Sequence, residues 1–294
     1  MKIRNLVAGS LQNAGLRVIN ALARSGRYRV YTDVPYGADD RNRLDYYIRT
    51  DTAEDPVHAR PLVLFFYGGN WQSGRRQDYR FVADTLCKMG CDVIVPDYRL
   101  YPEVRFSGII DDVSLAATWL FQNKQIDPGR PIFIMGHSAG AQLGSLLCLN
   151  QALLSHIDAV ERRIAGFIGL SGPYDFYPYT EESHWDLFSP ERAYPNSQAV
   201  NFVRAGGPPL YLLHGKEDSR VRRGHSKSLM EKQIAAGGDA SREVYEGVGH
   251  VDMVVSFSVF HRRKSQAVKD VENFILRSSK RHNNCHDNRH TSGD

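Results

Sequence analysis

The hydrophobic positions of the chain fall into short continuous runs that alternate with helical patterns over most of its length. Eight runs predict strands: Val30–Val34, Leu44–Ile48, Leu62–Tyr67, Val93–Pro96, Ile132–Met135, Ile164–Leu170, Leu210–His214 and Glu243–Tyr245. Five segments between or after them show helical spacing: Tyr79–Met89, Ile109–Asn123, Ala139–Leu147, Gly224–Ala236 and Ser265–Leu276. Fully apolar strands that alternate with helices are typical of a parallel sheet covered on both faces. The first two strands are more polar and close together along the chain, which predicts an antiparallel pair at one edge.

The strand PIFIM continues directly into GHSAG, residues 136–140. This is the G-x-S-x-G pattern in the strand–turn–helix context that a nucleophile elbow needs. Glycines on both sides of the serine allow a very tight turn, which presents the Ser138 hydroxyl at the start of the following helix. The pattern alone is weak, since glycine turns are common, but its position after a core strand indicates a nucleophile.

A serine hydroxyl is a poor nucleophile at neutral pH and needs a base. His250 lies in a glycine-rich loop after the last strand, whereas His137, beside the serine, is interpreted as part of the scaffold. The acid is expected after the penultimate strand, where Asp218 is favoured over its neighbour Glu217. The order Ser138, Asp218, His250 is the chain order that this kind of triad requires.

Two adjacent glycines, Gly68 and Gly69, follow the third predicted strand. Paired glycines after a core strand indicate a backbone that approaches another group closely. Attack by Ser138 on a carbonyl group creates an oxyanion, and backbone N–H groups have to be aimed at it in advance. We therefore predict an oxyanion hole formed by the N–H groups of Gly69, Asn70 and Ala139.

A stretch rich in aromatic residues, about 172–207, lies where a lid would cover such a site. A short aromatic cover fits small or aromatic esters better than long-chain triglycerides. Trp71, Asp175 and Trp185 are predicted to bind substrate. The alternatives are that the aromatic side chains pack this loop onto the sheet and that Asp175 caps a turn.

Composition and charge narrow the class of protein. The chain has 42% hydrophobic and 24% charged residues, which is ordinary for a soluble globular protein, and no apolar run long enough to span a membrane. The net charge of +4 comes from the two ends, since residues 1–30 carry basic side chains and no acidic one. The body between is net acidic, which argues against a nucleic-acid-binding surface. Four cysteines without a framework spacing favour reduced thiols and a cytoplasmic location.

The two ends of the chain are predicted to differ from its body. Residues 1–27 show an amphipathic helical pattern with arginines off the apolar face. A first helix docked on the domain is the favoured interpretation, and a membrane-surface helix or an organelle transit peptide is the alternative. Residues 279–294 hold three histidines and a cysteine. A disordered polar tail is favoured there over adventitious metal binding.

Taken together, these segments resemble the α/β-hydrolase fold, and within it the carboxylesterases and lipases similar to hormone-sensitive lipase and kynurenine formamidase. The resemblance covers about residues 30–278. It is carried by YGGNW (67–71), PDYRLYPE (96–103), GHSAG (136–140), SGPYDF (171–176), HGKED (214–218) and GVGH (247–250). It implies one catalytic domain over residues 28–278, with a mostly parallel eight-stranded sheet, helices on both faces and a short lid insertion.

The chain departs from the family pattern at one position. The family usually has His-Gly-Gly where this chain has a tyrosine, Tyr67, before the two glycines. Because that side chain braces the loop and performs no chemistry, we expect activity to survive the change. Asp97, Arg99 and Glu103 resemble a family segment that braces the active-site loops, so they are expected to be structural.

These features predict a serine hydrolase that cleaves carboxylic esters of short acyl or aromatic substrates through an acyl-enzyme, without a metal or an organic cofactor. Its expected partner is a small-molecule ester, with no nucleic acid and no stable membrane insertion, although peripheral membrane contact of the N-terminal helix is left open. One alternative is an arylformamidase acting on N-formylkynurenine, because GGNWQSG resembles the oxyanion loop of that group. A peptidase and a non-catalytic ligand-binding relative are less favoured. The natural substrate and the oligomeric state are left open.

Overall fold

The fold is given by a computed structural model that describes Gly15 and residues 18–23, 28–50, 60–157 and 160–290, apart from the side chains of 161, 162 and 285–290. The strands are β1 (Tyr28–Pro35), β2 (Arg43–Arg49), β3 (Leu62–Phe66), β4 (Asp92–Pro96), β5 (Ile132–His137), β6 (Ile164–Leu170), β7 (Leu210–Gly215) and β8 (Ala240–Tyr245). The α-helices that follow β3 and the later strands are α1 (Arg80–Lys88), α2 (Phe106–Gln122), α3 (Ala139–Leu149), α4 (Val160–Arg163), α5 (Glu182–Leu187), α6 (Gly224–Ala235), α7 (His250–Val255) and α8 (Gln266–His290). Short 3₁₀ helices cover Arg76–Tyr79, Gln151–Leu154, Glu191–Ser197 and Ala199–Phe202.

The eight strands form one sheet in the order β1-β2-β4-β3-β5-β6-β7-β8. The β1–β2 and β2–β4 pairs are antiparallel, and the other neighbours are parallel. Strands β3 to β7 are buried along their whole length, because helices cover both faces of a parallel sheet. The predicted strands and the predicted antiparallel edge are confirmed.

The order of the strands places a crevice at the centre of the sheet. From β3 the chain moves outward to β4 on one side, and it then returns to add β5 on the other side. Phe66, the last residue of β3, is paired with Gly136 near the end of β5, so the loops that follow these two strands begin side by side. Ligands of open α/β sheets bind at such a switch point, outside the carboxyl ends of the strands.

A buried arginine ties the loop after β3 to the sheet. Arg76 Nε donates to Asp45 Oδ1 at 2.8 Å, and the other guanidinium nitrogens pair with Asp97 and with the exposed Asp33. The backbone N–H of Arg76 donates to Asp97 Oδ1 at 2.7 Å. Asp97 follows β4 directly, and Asp45 lies on β2, so one side chain joins two strands to the loop. The expectation that Asp97 is structural is confirmed.

The segment after β4 is held by a second ion pair. Arg99 Nη2 lies 2.7 Å from Asp112 Oδ1 on α2, and the Arg99 backbone N–H donates to Asp112 Oδ2 at 2.8 Å. These contacts fit the structural role expected for Arg99. Glu103 is exposed, and in the described part of the chain its carboxylate has no recorded ion pair.

Only part of the predicted N-terminal helix lies within the described residues. Residues 18–22 are helical. Asn20 Oδ1 accepts the N–H of Phe81 at 3.0 Å, and Ala23 is buried, so this part lies against the start of α1. The remainder of the segment 1–27 falls outside the description. Across the described ranges, no helix combines the length and the apolar character needed to cross a membrane.

The C-terminal segment differs from the predicted disordered tail. Helix α8 continues to His290 and so includes most of residues 279–294. Its first half buries Val271 and Ile275 against the sheet. Between Gln266 and His290 there is no glycine or proline to stop it, and extension of an existing helix adds a hydrogen bond for each residue. The polar composition that suggested disorder was therefore a misleading signal up to His290.

Replacing Arg76 by methionine is expected to lower the free energy of unfolding by about 3–5 kcal/mol, because two buried carboxylates then lose their counter-ion. Arg75 provides a matched control, since it is adjacent and largely exposed and forms an ion pair with Asp78 near the surface. Arg75→Met should cost at most about 1 kcal/mol. Urea unfolding of both variants measures the difference. Equal losses in the two variants would contradict the bracing role of Arg76.

Candidate active site

The nucleophile turn joins β5 to α3. Ser138 lies between these elements with φ +55° and ψ −123°, a sparsely populated backbone conformation for a residue with a side chain. A Cβ atom on Gly136 would overlap the backbone of Gly140, and a Cβ atom on Gly140 would overlap the carbonyl of Phe66. The two glycines are therefore required by the close packing of this turn against the end of β3.

The side chains of Ser138, His250 and Asp218 meet at the carboxyl end of the sheet. His250 Nε2 lies 2.8 Å from Ser138 Oγ, and His250 Nδ1 lies 2.8 Å from Asp218 Oδ2. Each side chain follows a different strand: the serine follows β5, the aspartate β7 and the histidine β8. This arrangement allows the hydroxyl proton to pass to an imidazole that a carboxylate holds in position.

The carboxylate of Asp218 is fully buried and hydrogen-bonded on both oxygens. Its Oδ1 accepts the backbone N–H groups of Arg220 and Val221 at 3.0 and 2.9 Å, and His214 Nε2 lies 3.3 Å from Oδ2. Burial acts to raise the pKa of Asp218, yet the net shift is downward. Hydrogen bonds from His214, His250 and the Val221 N–H hold the pKa well below its usual range. The carboxylate therefore stays ionised at the pH values at which aspartate normally titrates.

His214 is a member of the site that sequence reasoning missed. It is fully buried in β7, its Nε2 lies 3.0 Å from the Val221 carbonyl oxygen, and Ser226 Oγ lies 3.2 Å from its Nδ1. It fixes the loop that carries Asp218. The neighbouring carboxylate, Glu217, is exposed. Among the described residues, no group of three histidine, cysteine, aspartate or glutamate side chains is arranged to hold a metal ion.

His137 is placed as a neutral part of the scaffold. Its ring is buried, and its Nε2 lies 3.1 Å from the backbone carbonyl oxygen of His250, to which it donates. Burial, together with the nearby imidazole of His250, lowers the pKa of His137 to about 3. His137 is bonded to a backbone carbonyl group, whereas the Ser138 hydroxyl is bonded to His250, so His137 is not the base for Ser138. Its position agrees with the predicted scaffold role.

The loop after β3 lies directly against the nucleophile turn. A Cβ atom on Gly68 would come within 2.9 Å of the Ser138 Cβ atom, so glycine permits the approach. The next three residues all have positive φ: Gly69 at +140°, Asn70 at +54° and Trp71 at +58°. The two glycines after β3 therefore have different roles: Gly68 makes room for Ser138, and Gly69 begins a left-handed turn.

The predicted oxyanion donors lie on the two sides of this contact. The Gly69 carbonyl accepts the N–H of Ser73 at 3.1 Å, whereas no hydrogen bond within the described chain uses the N–H of Gly69 or Asn70. Ala139 is the first residue of α3, so its N–H has no acceptor within the helix. Three backbone donors beside the nucleophile are thus without an internal partner, as an oxyanion hole requires.

Tyr67 braces the start of this loop. It is fully buried, its O–H donates to Asp97 Oδ1 at 2.7 Å, and Arg41 Nη2 donates to its oxygen at 3.2 Å. Its ring stacks on Tyr98, whose O–H donates to the Tyr67 carbonyl at 2.7 Å. The contacts agree with the expectation that the side chain at this position supports the loop.

The predicted lid region packs tightly on the loop after β3. It contains α5 and two of the 3₁₀ helices. Its aromatic side chains form a cluster, here called the lid cluster, with rings 4.9–6.3 Å apart; it consists of Phe176, Tyr177, Tyr179, His184, Trp185, Phe188 and Tyr194. The alternative that these side chains pack the segment onto the domain is therefore supported.

The burial of Trp71 favours a structural role over the predicted contact with substrate. Only 2% of its surface is exposed. Its Nε1–H donates to Gln142 Oε1 at 3.1 Å, and its ring packs between Phe176 and Phe188 of the lid cluster. A sequence pattern gives the residue type but not the long-range contacts that cover it.

The other two predicted substrate-binding residues have different surroundings. The carboxylate of Asp175 accepts from Ser228 Oγ and lies 3.3 Å from Lys232 Nζ, both on α6. Asp175 thus anchors the start of the lid region, which favours a structural role. Trp185 is 38% exposed and packs edge-on against Tyr179. Its binding role stays a prediction.

A cavity of about 600 Å³ lies behind the histidine loop, between β8, α7 and the start of α8. Val248, Met253 and Lys264 are among its lining residues, and Ser138 and His250 are not. Its size is that of a small-molecule site, but chemistry requires a reactive group. We therefore place the candidate active site at Ser138 and not in this cavity.

Comparisons with known proteins show similarity to hydrolases. The isoprenylcysteine alpha-carbonyl methylesterase of Arabidopsis thaliana is 27% identical over 249 residues, which are 76% of this chain and 57% of that protein. The kynurenine formamidase of Danio rerio is 30% identical over 146 residues, 50% of this chain and 47% of that protein. The chain thus spans less than two thirds of the length of these relatives.

The fold is shared with solved structures at lower sequence identity. Esterase B from Lactobacillus rhamnosis (HN001) superposes with a TM-score of 0.78 at 20% identity, and the match covers 99% of this chain and 98% of that one. The predicted α/β-hydrolase fold is confirmed. The BD-FAE family model matches residues 44–233, more than half of the chain. The chain therefore belongs to the BD-FAE family of α/β-hydrolases.

Proposed function

We propose that the protein is a serine hydrolase that cleaves carboxylic esters with a short acyl or aromatic group. The observation that carries the proposal is the continuous hydrogen-bonded path from Ser138 Oγ through His250 to Asp218, with two links of 2.8 Å. A hydroxyl bonded to a neutral imidazole nitrogen, whose other nitrogen meets an ionised carboxylate, is the arrangement of an activated serine.

In the acylation step, Ser138 Oγ attacks the ester carbonyl carbon while its proton passes to His250 Nε2. The carbonyl π electrons move to oxygen, and the N–H groups of Gly69, Asn70 and Ala139 bind the oxyanion. Asp218 stabilises the imidazolium. The imidazolium then gives its proton to the alcohol oxygen as the carbon–oxygen bond breaks, which leaves an acyl-enzyme and a free alcohol.

In the deacylation step, a water molecule replaces the alcohol. His250 accepts a proton from water as the oxygen attacks the acyl carbon, and the same backbone donors bind the second oxyanion. The bond to Ser138 Oγ breaks, and the proton on His250 returns to the serine. The products are a carboxylic acid and the regenerated enzyme, so water is the only co-reactant.

The small-substrate proposal is supported by the lid cluster. Trp71 and Phe188 are almost completely buried and fill the space beside the loop after β3 with aromatic rings. A tightly packed aromatic cover leaves less room for a long acyl chain than an open groove does. The Arabidopsis relative is named as an isoprenylcysteine alpha-carbonyl methylesterase, which supports a small alcohol as the leaving group and gives no support for a short acyl group. The free cysteines Cys87, Cys91 and Cys148 support a cytoplasmic location.

A formyl amide is the second candidate substrate. The kynurenine formamidase of Danio rerio is 30% identical over half of the chain, and the loop residues GGNWQSG resemble that group. The same triad and the same oxyanion donors serve amide hydrolysis, with the amine as leaving group. A non-catalytic ligand-binding protein is less favoured, because all three triad side chains are present and hydrogen-bonded to one another.

Hydrolysis of p-nitrophenyl acetate, butyrate, octanoate and palmitate, with N-formylkynurenine alongside, tests the proposal. We expect kcat/KM to peak at the short acyl chains and kcat to fall about 10⁶-fold in Ser138→Ala, because the nucleophile is removed. Preference for N-formylkynurenine would favour the formamidase. No turnover of any substrate by the folded wild type would revive the binding-protein alternative.

Asp218→Asn should lower kcat by about 10⁴-fold, because the amide no longer holds the imidazole in the required tautomer. Glu217→Gln is the matched control and should stay within about tenfold, since Glu217 is exposed. Because the low pKa of Asp218 keeps its carboxylate ionised, Asp218 should add no second protonation step to the decline of kcat/KM toward acidic pH. The reverse ranking of the two variants would move the acid to Glu217.

A further inference from the structure

The loop after β3 holds a conformation that its own residues do not favour. Asn70 and Trp71 have φ of +54° and +58°, in the left-handed region. Asparagine tolerates this region, whereas a bulky residue such as tryptophan is a genuine outlier there. Such residues persist only where the surroundings over-determine them. Contacts with neighbouring residues must therefore hold Trp71 in this conformation.

One of these contacts is a buried hydrogen bond from Trp71 to α3, the nucleophile helix, which begins after Ser138. Trp71 Nε1–H donates to Gln142 Oε1 at 3.1 Å. Gln142 lies on α3, four residues after Ser138, and is fully buried. Because Gln142 lies one helical turn after Ser138, the side chain that accepts the indole hydrogen bond is rigidly connected to the nucleophile.

The other end of the Gln142 side chain reaches the lid region. Gln142 Nε2 donates to the backbone carbonyl of Ser197 at 2.7 Å. The amide group is thus bonded on both its oxygen and its nitrogen, and this fixes its orientation. A buried amide satisfied at both ends allows one arrangement of its neighbours, since any other leaves a polar group unpaired.

Further contacts hold Asn70 and Trp71 against the lid region. The indole ring stacks on Phe176 and meets His184 and Phe188 edge-on, with centroids 5.1–5.8 Å apart. The side chain of Asn70 lies 3.1 Å from Glu181 and from His184. Two of the three consecutive left-handed residues therefore contact the lid region, and Trp71 also bonds to the nucleophile helix.

We propose that Trp71 and Gln142 are positioning residues, which lock the N–H groups of Gly69 and Asn70 in register with Ser138. The inference rests on the proposed function, since it assigns these N–H groups to the oxyanion. Trp71 and Gln142 touch neither the substrate nor the reacting atoms. They act by keeping the loop in its left-handed conformation, so that the donors are in place before charge develops.

The proposal has a kinetic signature that differs from a substrate-binding role. The oxyanion exists only near the transition state, so misplaced donors lower kcat and leave KM nearly unchanged. A residue that lines the substrate pocket would mainly raise KM. A residue that only supports the fold would lower the melting temperature and leave kcat of the folded enzyme unaltered.

Two variants remove the hydrogen bond from opposite ends. Trp71→Phe keeps an aromatic ring and deletes the N–H group, and Gln142→Met keeps the approximate length and deletes the amide. We expect kcat for p-nitrophenyl butyrate to fall about 10- to 100-fold in each, with KM within about threefold. The double variant should lose little more than the larger single loss, because both changes break one link.

Matched controls separate positioning from general stability. Gln233 is also a fully buried helical glutamine bonded at both ends, to the backbone of Arg204, and Trp119 is a partly buried tryptophan on α2 that packs against Tyr46. Gln233→Met and Trp119→Phe should lower the melting temperature without a comparable loss of kcat. If Trp71→Phe does not fold, Gln142→Met against Gln233→Met carries the test.

Binding of a trifluoromethyl ketone gives an independent readout. Trifluoroacetophenone adds to the serine as a hemiketal whose oxygen occupies the oxyanion hole, so its affinity should fall in parallel with kcat. Unchanged kcat in both variants, or a rise in KM alone, would overturn the proposal. An inactive wild type would instead refute the proposed function, so the two failures are distinguishable.

Discussion

The architecture of the site depends on one steric constraint, which is the close approach of two backbone turns at the centre of the sheet. β3 and β5 are hydrogen-bonded neighbours, with Phe66 opposite Gly136, so the chain leaving each strand enters the same small space. That space admits no side chain on Gly136 or Gly140, and a side chain on Gly68 would press against Ser138. Ser138 adopts a positive φ at the start of α3, and the loop after β3 lies beside it. Pairing of the strands thereby sets the distance between the proposed nucleophile and the proposed oxyanion donors.

Buried polar contacts convert this proximity into defined geometry. Arg76 joins the loop to Asp97, Tyr67 supports it from below through the same carboxylate, and the amide of Gln142 spans the loop, the nucleophile helix and the lid region. On the other side, hydrogen bonds from the Arg220 and Val221 N–H groups fix Asp218. These groups are costly to bury unless every partner is present, so the set of contacts permits few other arrangements. The proposed oxyanion donors and the proposed base are therefore held in place without a substrate, and preorganisation of this kind lowers an enzymatic barrier.

Much of the fold and the centre of the site follow from local signals. Apolar runs predict the buried strands β3 to β7, and residues Gly136 to Gly140 predict the turn, because strand burial and tight turns constrain residue types locally. The position after the penultimate strand limits the acid to Asp218 or its neighbour Glu217, and the contact of Asp218 with His250 agrees with the preference for Asp218. The contacts of Trp71 with Gln142 and of Asp175 with Ser228 join residues that lie far apart in sequence, so the residue pattern does not show them. The partners of His214, which are Asp218, Val221 and Ser226, lie near it in sequence, but their contacts depend on the path of the loop after β7, which the residue pattern does not show. Polar composition predicts a disordered tail after residue 278, because it reflects contact with water and does not show whether α8 continues.

The most direct test of the account is covalent trapping of the nucleophile by diethyl p-nitrophenyl phosphate, followed by mass spectrometry of the digested protein. The account predicts release of one nitrophenolate per chain and a diethylphosphoryl group on Ser138. It also predicts that His250→Ala, which keeps the hydroxyl and removes its base, reacts far more slowly. A folded protein that carries no adduct at Ser138, or a His250→Ala variant that is labelled as fast as the wild type, would contradict the claim that this serine is activated by the triad.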